Sequence, residues 1–423
     1  MSERADAIRR TVLPDGLTVI TEAMPDVESV ALGVWADAGS SDESPDEHGI
    51  AHCLEHMLFK GTARYDAYAL AAAIEDIGGH VDAYTERELT HVGARVLAEQ
   101  LPAAIDMLSE FICRSTFPPD EMERERQVII EEIRKYDGMP EERIYDLMMA
   151  ALWHGGALGH AILGTEDSVR GFTREQLVAC WRRHFTPSLV IITAAGKLDH
   201  DAVTARVAAA FADLPRDGEG CDRGAAGATL PLLHEEEDGE QVHFTWGARA
   251  FPAADDRVFP LALADIVLGA TSTSRLFQEV REKRGLAYDI GSYLMGFRQT
   301  GLLAATGATS PALFSDVIAL VRAVITDLRE GGITEREWQR AKTQMKSGMA
   351  LALESTADRM RRLAQHQLTW GEVYPLNALL ARIDRVTLDD VHAVLDSRCD
   401  LDQWSFVSIG PVEASAVRAA LGG

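Results

Sequence analysis

His52-Cys53-Leu54-Glu55-His56 is the stretch on which the reading of this chain turns. Side chains four positions apart lie one turn above each other on a helix, so His52 and His56 can grip a single metal ion. Glu55 points into the same space, placed to take a proton from a water that the metal polarises. The order is H-x-x-E-H, the reverse of the commoner H-E-x-x-H of zinc peptidase helices. An exposed helix with two solvated histidines would carry the same letters, so the chemistry depends on a third ligand.

A zinc site needs that third protein ligand and one open position. His80, His91 and the carboxylates of a helix over residues 121–135 are the candidates. Taking Ile129 as the centre of that helix's apolar stripe and turning ~100° per residue, Met122, Ile133 and Tyr136 fall within about 40° of it. Glu125 falls about 40° away and Glu132 about 60° away, on the edge of the buried stripe. Glu131 faces water. Carboxylates on a core-facing side need a cation or a hydrogen-bonded partner. Glu132 as a metal ligand, with Glu125 either supporting it from behind or orienting a histidine, meets that need. A half-buried helix with both glutamates reaching solvent or an arginine is the alternative. His80 and His91 lie on an expected hairpin and read as surface or core residues, and His48, His154 and His160 as loop or turn residues.

The 423 residues are too many for one core and suggest two domains of roughly 200 residues each. Apolar content of 47% with 25% charged residues is that of a globular protein. The net charge of -25 argues against nucleic-acid and anionic-membrane partners and suits cationic peptides or metal ions. Cys53, Cys113, Cys180, Cys221 and Cys399 show no C-x-x-C spacing and read as free thiols of a reducing compartment. No apolar run approaches membrane-spanning length, and the N-terminus does not look like an export signal, so a cytoplasmic location is expected.

Strands are expected over residues 17–21 and 30–35, a helix over 68–77 stopped by Gly78-Gly79, a hairpin over 81–96, and two or three helices over 100–153. A buried strand at 190–196 and a helix at 201–211 follow. Residues 215–234, rich in small and polar side chains, read as a linker. Beyond them the order recurs: a strand at 242–246, a loop at 252–256, a long helix through 274–284, a Tyr-containing strand, then helices. The expected class is α+β, with related domains at 1–214 and 235–423, each a mainly antiparallel sheet packed with helices.

Gly49-Ile-Ala-His-Cys-Leu-Glu-His-Met-Leu-Phe-Lys-Gly-Thr62, Gly78-Gly-His-Val-Asp-Ala-Tyr-Thr85 and Glu125-Arg-Gln-Val-Ile-Ile-Glu-Glu-Ile133 resemble the pitrilysin (M16) peptidase family. So do Ser274-Arg-Leu-Phe-Gln-Glu-Val-Arg-Glu-Lys-Arg-Gly-Leu-Ala-Tyr288 and Leu353-Glu-Ser-Thr in the second half. The likeness is to the small two-domain, processing-peptidase-like members and covers nearly the whole chain. It implies one Zn2+ per chain held by His52, His56 and Glu132, with Glu55 as general base. It also implies Arg281 and Tyr288 as electrophilic support for the oxyanion, Arg281 near the end of a helix stopped by Gly285 and Tyr288 on the strand that follows. Asp82, Ala83, Tyr84 and Thr85 would form a strand edge that binds an extended substrate. The family's chamber is a clamshell of which this chain is half, so the resemblance implies a homodimer, with a heterodimer as the other form, each subunit lending Arg281 and Tyr288 to its partner. The implied activity is zinc-dependent endoproteolysis of peptides or unfolded segments. A non-catalytic or partner-dependent subunit of a processing or core complex is the alternative. Asp82 stands where the family has asparagine, Cys53 where it has phenylalanine, and the 270–274 loop carries less glycine than usual.

Overall fold

The computed structural model describes residues 7–216 and 227–422. They form two compact units, each built on one sheet.

The first sheet has six strands: β1 (Ile8–Val12), β2 (Thr18–Ala23), β3 (Ser29–Ala36), β4 (His80–Thr85), β5 (Thr90–Leu97) and β6 (Val190–Gly196). Their order is β1-β2-β6-β3-β5-β4. Only β2 and β6 run parallel. Asp15-Gly16 turns the chain between β1 and β2, Gly16 taking φ 101°, a conformation glycine adopts without steric cost. β3 is buried from Val30 to Ala36, which is why it reads as a continuous apolar run rather than an alternating one. β4 is an edge strand.

One face of this sheet carries the short helix Ile50–Met57 and the helices Leu101–Arg114 and Pro119–Asp137. Ile50, Leu54 and Met57, each at most 1% exposed, form the stripe that seats the short helix. Burying each such side chain contributes about 1.5–3 kcal/mol. The opposite face is covered by the helix Thr356–Trp370, whose Met360, Leu363 and Ala364 pack on Ile20, Ala31, Trp35 and Ile191. Arg359 and Arg362 of that helix pair with Glu22 of β2, a glutamate with no exposed surface. Removing either side of a buried pair strands a charge, so this contact fixes the helix on the sheet.

On the same face, His91 lies between the rings of Trp35 and Tyr84, with centroid separations of 4.0 and 4.7 Å. Gly33 and Gly93 make room for it: a Cβ at Gly93 would come within 2.6 Å of the imidazole. Neither ring nitrogen of His91 has a hydrogen-bond partner. Burial, with Arg361 nearby, lowers its pKa to about 3. The unfolded chain therefore takes up a proton below about pH 6.5 that the folded chain refuses. Stability attributable to His91 is complete above that pH and declines as pH falls toward 3, with on the order of 2 kcal/mol lost by pH 5. His91→Phe should accordingly show a smaller fall in melting temperature between pH 7 and pH 5 than the wild type. Equal falls would remove His91 from the acid limb.

The second sheet has five strands: β7 (Leu232–Glu236), β8 (Val242–Ala250), β9 (Asp289–Gly296), β10 (Gly301–Thr309) and β11 (Ser405–Gly410). Their order is β7-β11-β8-β10-β9, with β7 and β11 parallel and the other neighbours antiparallel. This reproduces β2-β6-β3-β5-β4 junction by junction, in the same chain sequence and with the same strand senses. The two domains are thus related in design, an α+β class with mainly antiparallel sheets.

Three expectations need correction. The units are not divided by a single cut near residue 214: Lys135–Gly159 packs with the second unit and Ala350–Pro375 with the first. Helix Pro140–Leu152 carries Ile144, Met148 and Leu152 onto the second sheet's core, a tertiary choice that local sequence does not encode. The linker expected at 215–234 ends in β7, whose pairing with β11 supplies the order; its residues 217–226 and Cys221 lie outside the described residues. The long helix expected through 274–284 is instead the helix Val258–Leu268 and a separate short helix, Phe277–Glu282, of wide π-type turns. Gly269 breaks them apart, its backbone so close to β9 that a Cβ would sit 2.3 Å from the Ser292 nitrogen. Among the described residues, no helix is long and apolar enough to cross a membrane.

Candidate metal centre

Helix Ile50–Met57 starts at Gly49, with φ 93°, packed backbone to backbone against Gly164. Its first free amides are held by Glu43, which accepts from Gly49 N–H at 2.9 Å and Ala51 N–H at 2.8 Å. The buried stripe of Ile50, Leu54 and Met57 turns His52, Glu55 and His56 to the other side of the helix. Cys53 is a small buried residue, and burial pushes its thiol up to about 12, so it is inert.

His52, His56 and Glu132 come together, offering ligand atoms that all lie within 4.8 Å of one another. Glu132 Oε2 is 3.5 Å from His56 Nε2 and 3.8 Å from His52 Nε2. Ligand atoms about 2.0–2.1 Å from a tetrahedral zinc are themselves about 3.3 Å apart, so the three atoms fit one small cation with little adjustment. Two imidazoles and one carboxylate are a borderline-soft donor set of the kind zinc takes. The Glu132 side chain is 44% exposed, so solvent reaches the cluster on that side. The helix argument placed Glu125 and Glu132 on one edge of the stripe; Glu125 is buried and Glu132 half exposed.

Glu125 accepts from His56 Nδ1 at 3.1 Å and pairs with Lys60 Nζ at 2.7 Å. It thereby turns His56 Nε2 toward Glu132. Burial opposes the charge on His56, but Glu125 and Glu132 outweigh it and raise its pKa to about 9. Burial, with His56 close by, keeps His52 below the usual imidazole range. Protonated His56 and Lys60 are thus the positive charges facing these carboxylates, and a divalent ion bound there would displace the His56 proton. Glu125→Gln should weaken metal binding by about 10- to 100-fold, read by competition with a chromophoric chelator. Unchanged affinity would mean that Glu125 does not orient the ligand.

Glu55 lies beside the trio, accepting from the Thr85 hydroxyl at 2.6 Å. Burial raises its pKa, with Thr85 and His56 pulling the other way. A carboxylate held next to the converging ligand atoms can take a proton from water.

His91 is not part of this cluster, being stacked on the opposite sheet face, and His80 is exposed at the start of β4. His48 and His160 stack on each other with ring centroids 3.6 Å apart. On β4, the Asp82 side chain is exposed and Tyr84 packs toward Trp35, whereas Val81 and Ala83 pack against the cluster beneath the metal helix. In the second unit, Arg281 stands over the Tyr288 ring at 4.1 Å and donates to the Tyr288 carbonyl at 3.0 Å. Gly285, at φ 62°, ends the short helix as expected, but Tyr288 immediately precedes β9 rather than lying in it, and is 78% exposed.

Lys60, Glu43 and the Thr85 hydroxyl were not singled out by sequence reasoning. Glu43 is six and eight residues from the two amides it caps, beyond the spacing of a capping box, and Lys60 follows the helix without any periodic signal.

Residues 18–166 match the sequence profile described as Insulinase (Peptidase family M16), and residues 171–345 match that of the Peptidase M16 inactive domain. The chain belongs to the M16 peptidase family. Its M16 relatives include an uncharacterized zinc protease of Streptomyces coelicolor, 37% identical over 92% of this chain and 86% of that one. Another, an uncharacterized zinc protease of Bacillus subtilis, is 33% identical over 92% and 94%. A probable mitochondrial-processing peptidase subunit beta of Arabidopsis thaliana is 30% identical over 97% of this chain and 79% of its own. The fold is shared with a Helicobacter pylori protease, at TM-score 0.87 and 20% identity over 96% of this chain and 99% of that one. It is shared also with an M16 inactive-domain protein of Pseudomonas fluorescens, at TM-score 0.85 and 23% identity over 96% and 98%. His52, Glu55, His56, Glu125 and Glu132 all fall within the first profile match, and Arg281 and Tyr288 within the second.

Proposed function

We propose that this protein is a zinc-dependent endopeptidase acting on peptides or unfolded segments. One observation carries the reading: two imidazole nitrogens and a carboxylate oxygen converge at ligand spacing, with a second carboxylate beside them. The zinc-protease names of the relatives support the choice of metal.

His52, His56 and Glu132 would hold the ion. Zinc, when bound, supplies Lewis acidity toward a carbonyl and toward water. Glu55 takes the proton of the attacking water and delivers it to the leaving amine. Glu125 and Lys60 keep His56 aimed while charge moves. β4, the open edge of its sheet, offers backbone groups to an extended peptide, a mode that reads few side chains. Arg281 and Tyr288 are assigned to oxyanion support, contributed across a homodimer inside an enclosed chamber.

The test is hydrolysis of a quenched fluorogenic peptide. Activity should vanish with a chelator and return with added zinc. Turnover that persists at undetectable metal content would reject the reading. Stoichiometric zinc with no turnover, alone or in a cell extract, would favour a non-catalytic subunit.

A further inference from the structure

Glu55 would have to keep one orientation through turnover, yet its side chain lies on a helix barely two turns long. Among the described residues, the hydrogen bonds to its carboxylate come from Thr85, through the hydroxyl at 2.6 Å and through the backbone amide. Thr85 is itself buried and is the last residue of edge strand β4.

The ladder explains why the amide is free to do this. Glu86 N–H donates to the Leu89 carbonyl at 2.8 Å and closes the β4–β5 hairpin. Opposed pairs in an antiparallel ladder alternate between bonded and non-bonded. Thr85–Thr90 is therefore a non-bonded pair, and Ala83–Val92 is another. Thr85 and Ala83 turn their amides away from β5, toward the open edge.

The second unit repeats the contact. Asp265, on the helix that follows β8 as the metal helix follows β3, accepts from the hydroxyl of Ser292 on β9, the edge strand equivalent to β4. A helix carboxylate tied to an edge-strand hydroxyl thus occurs in both halves. In the first, the tied carboxylate is the one beside the metal ligands.

We infer that Thr85 is a positioning residue: its hydroxyl fixes the Glu55 carboxylate and locks it to the strand edge on which an extended peptide would lie. The inference rests on the proposed peptidase activity. Seating of a peptide on β4 and aiming of the base are then one mechanical unit, and Thr85 acts on turnover rather than on affinity.

The experiment compares full-length, zinc-loaded wild type, Thr85→Val and Thr85→Ser. Valine keeps the shape and amide and removes only the hydroxyl; serine keeps the hydroxyl. Thr85→Val should lower kcat by about 10- to 100-fold, with KM within about threefold and zinc content unchanged, and Thr85→Ser should stay near wild type. Adding Thr85→Val to Glu55→Gln should cost nothing further. Wild-type kcat in Thr85→Val, or equal losses in valine and serine variants, overturns the inference. Crystal structures of wild type and Thr85→Val give a reading independent of turnover: the Glu55 carboxylate should rotate when the hydroxyl is removed, and an unchanged rotamer overturns the inference. Should the zinc-loaded wild type hydrolyse nothing, the peptidase reading fails by itself, and the Glu55 rotamer still decides whether Thr85 holds it.

Discussion

Glu55→Gln should lower kcat by about 10²- to 10⁴-fold while leaving zinc content and melting temperature near their wild-type values. The amide keeps the length of the side chain and still accepts from Thr85 through its oxygen. What it lacks is basicity. Glu55 is beside the ligand trio rather than within it, since the convergent atoms come from His52, His56 and Glu132. Removing its charge should therefore leave binding of the ion intact and remove the proton transfer alone. The measurement is single-turnover cleavage of a fluorogenic peptide together with metal analysis of the same preparation. A variant that keeps more than a tenth of wild-type turnover would assign the base elsewhere; one that loses zinc would make Glu55 a ligand.

The second large effect is expected from Glu132→Gln. A protein zinc site binds with about 10–16 kcal/mol, so one of its few ligands accounts for roughly 3–4 kcal/mol, or about 10²- to 10³-fold in affinity. The loss has a second source. Glu132 is one of the three carboxylates, with Glu125 and Glu55, that raise the His56 pKa to about 9, so its charge balances whatever cation sits among these groups. With the amide in place the site has one carboxylate fewer to balance a divalent ion. Zinc should then be lost to a mild chelator that leaves the wild type loaded, and turnover should fall in step with occupancy. Retention of zinc with wild-type affinity would exclude Glu132 from the coordination sphere.

Much of this centre was legible because its parts are local and periodic. The i, i+4 spacing of His52 and His56 is a statement about one helix turn. The position of Glu132 followed from the angle it makes with Ile129 on another helix. Strand β3 was legible from its β-branched residues, although its burial on both faces is what makes every position from Val30 to Ala36 apolar. The repeat of the two sheets was visible as element order before pairing proved it, though 423 residues gave too little internal identity to establish it. What could not be read depends on contacts distant in sequence. Glu22 looks like a surface residue of β2 until Arg359 and Arg362 arrive from 337 and 340 positions away. Thr85 reads as a strand residue until the metal helix is laid across it. The helix break at Gly269 is set by how closely β9 passes, which no local propensity reports. Asp82, singled out for its place in the motif, lies on the sheet face opposite to Val81 and Ala83, with its side chain exposed.

The return of Ala350–Pro375 to the first unit has a bearing on biosynthesis. A nascent chain emerges N-terminus first, so the surface formed by Ile20, Ala31 and Trp35 stays bare until some 370 residues have left the ribosome. Until then Glu22 has no guanidinium to neutralise it, and the unit that carries the histidines cannot mature before that segment has emerged. A gene fragment that ends before codon 350 would keep that surface bare, whereas one that runs on through codon 375 should cover it.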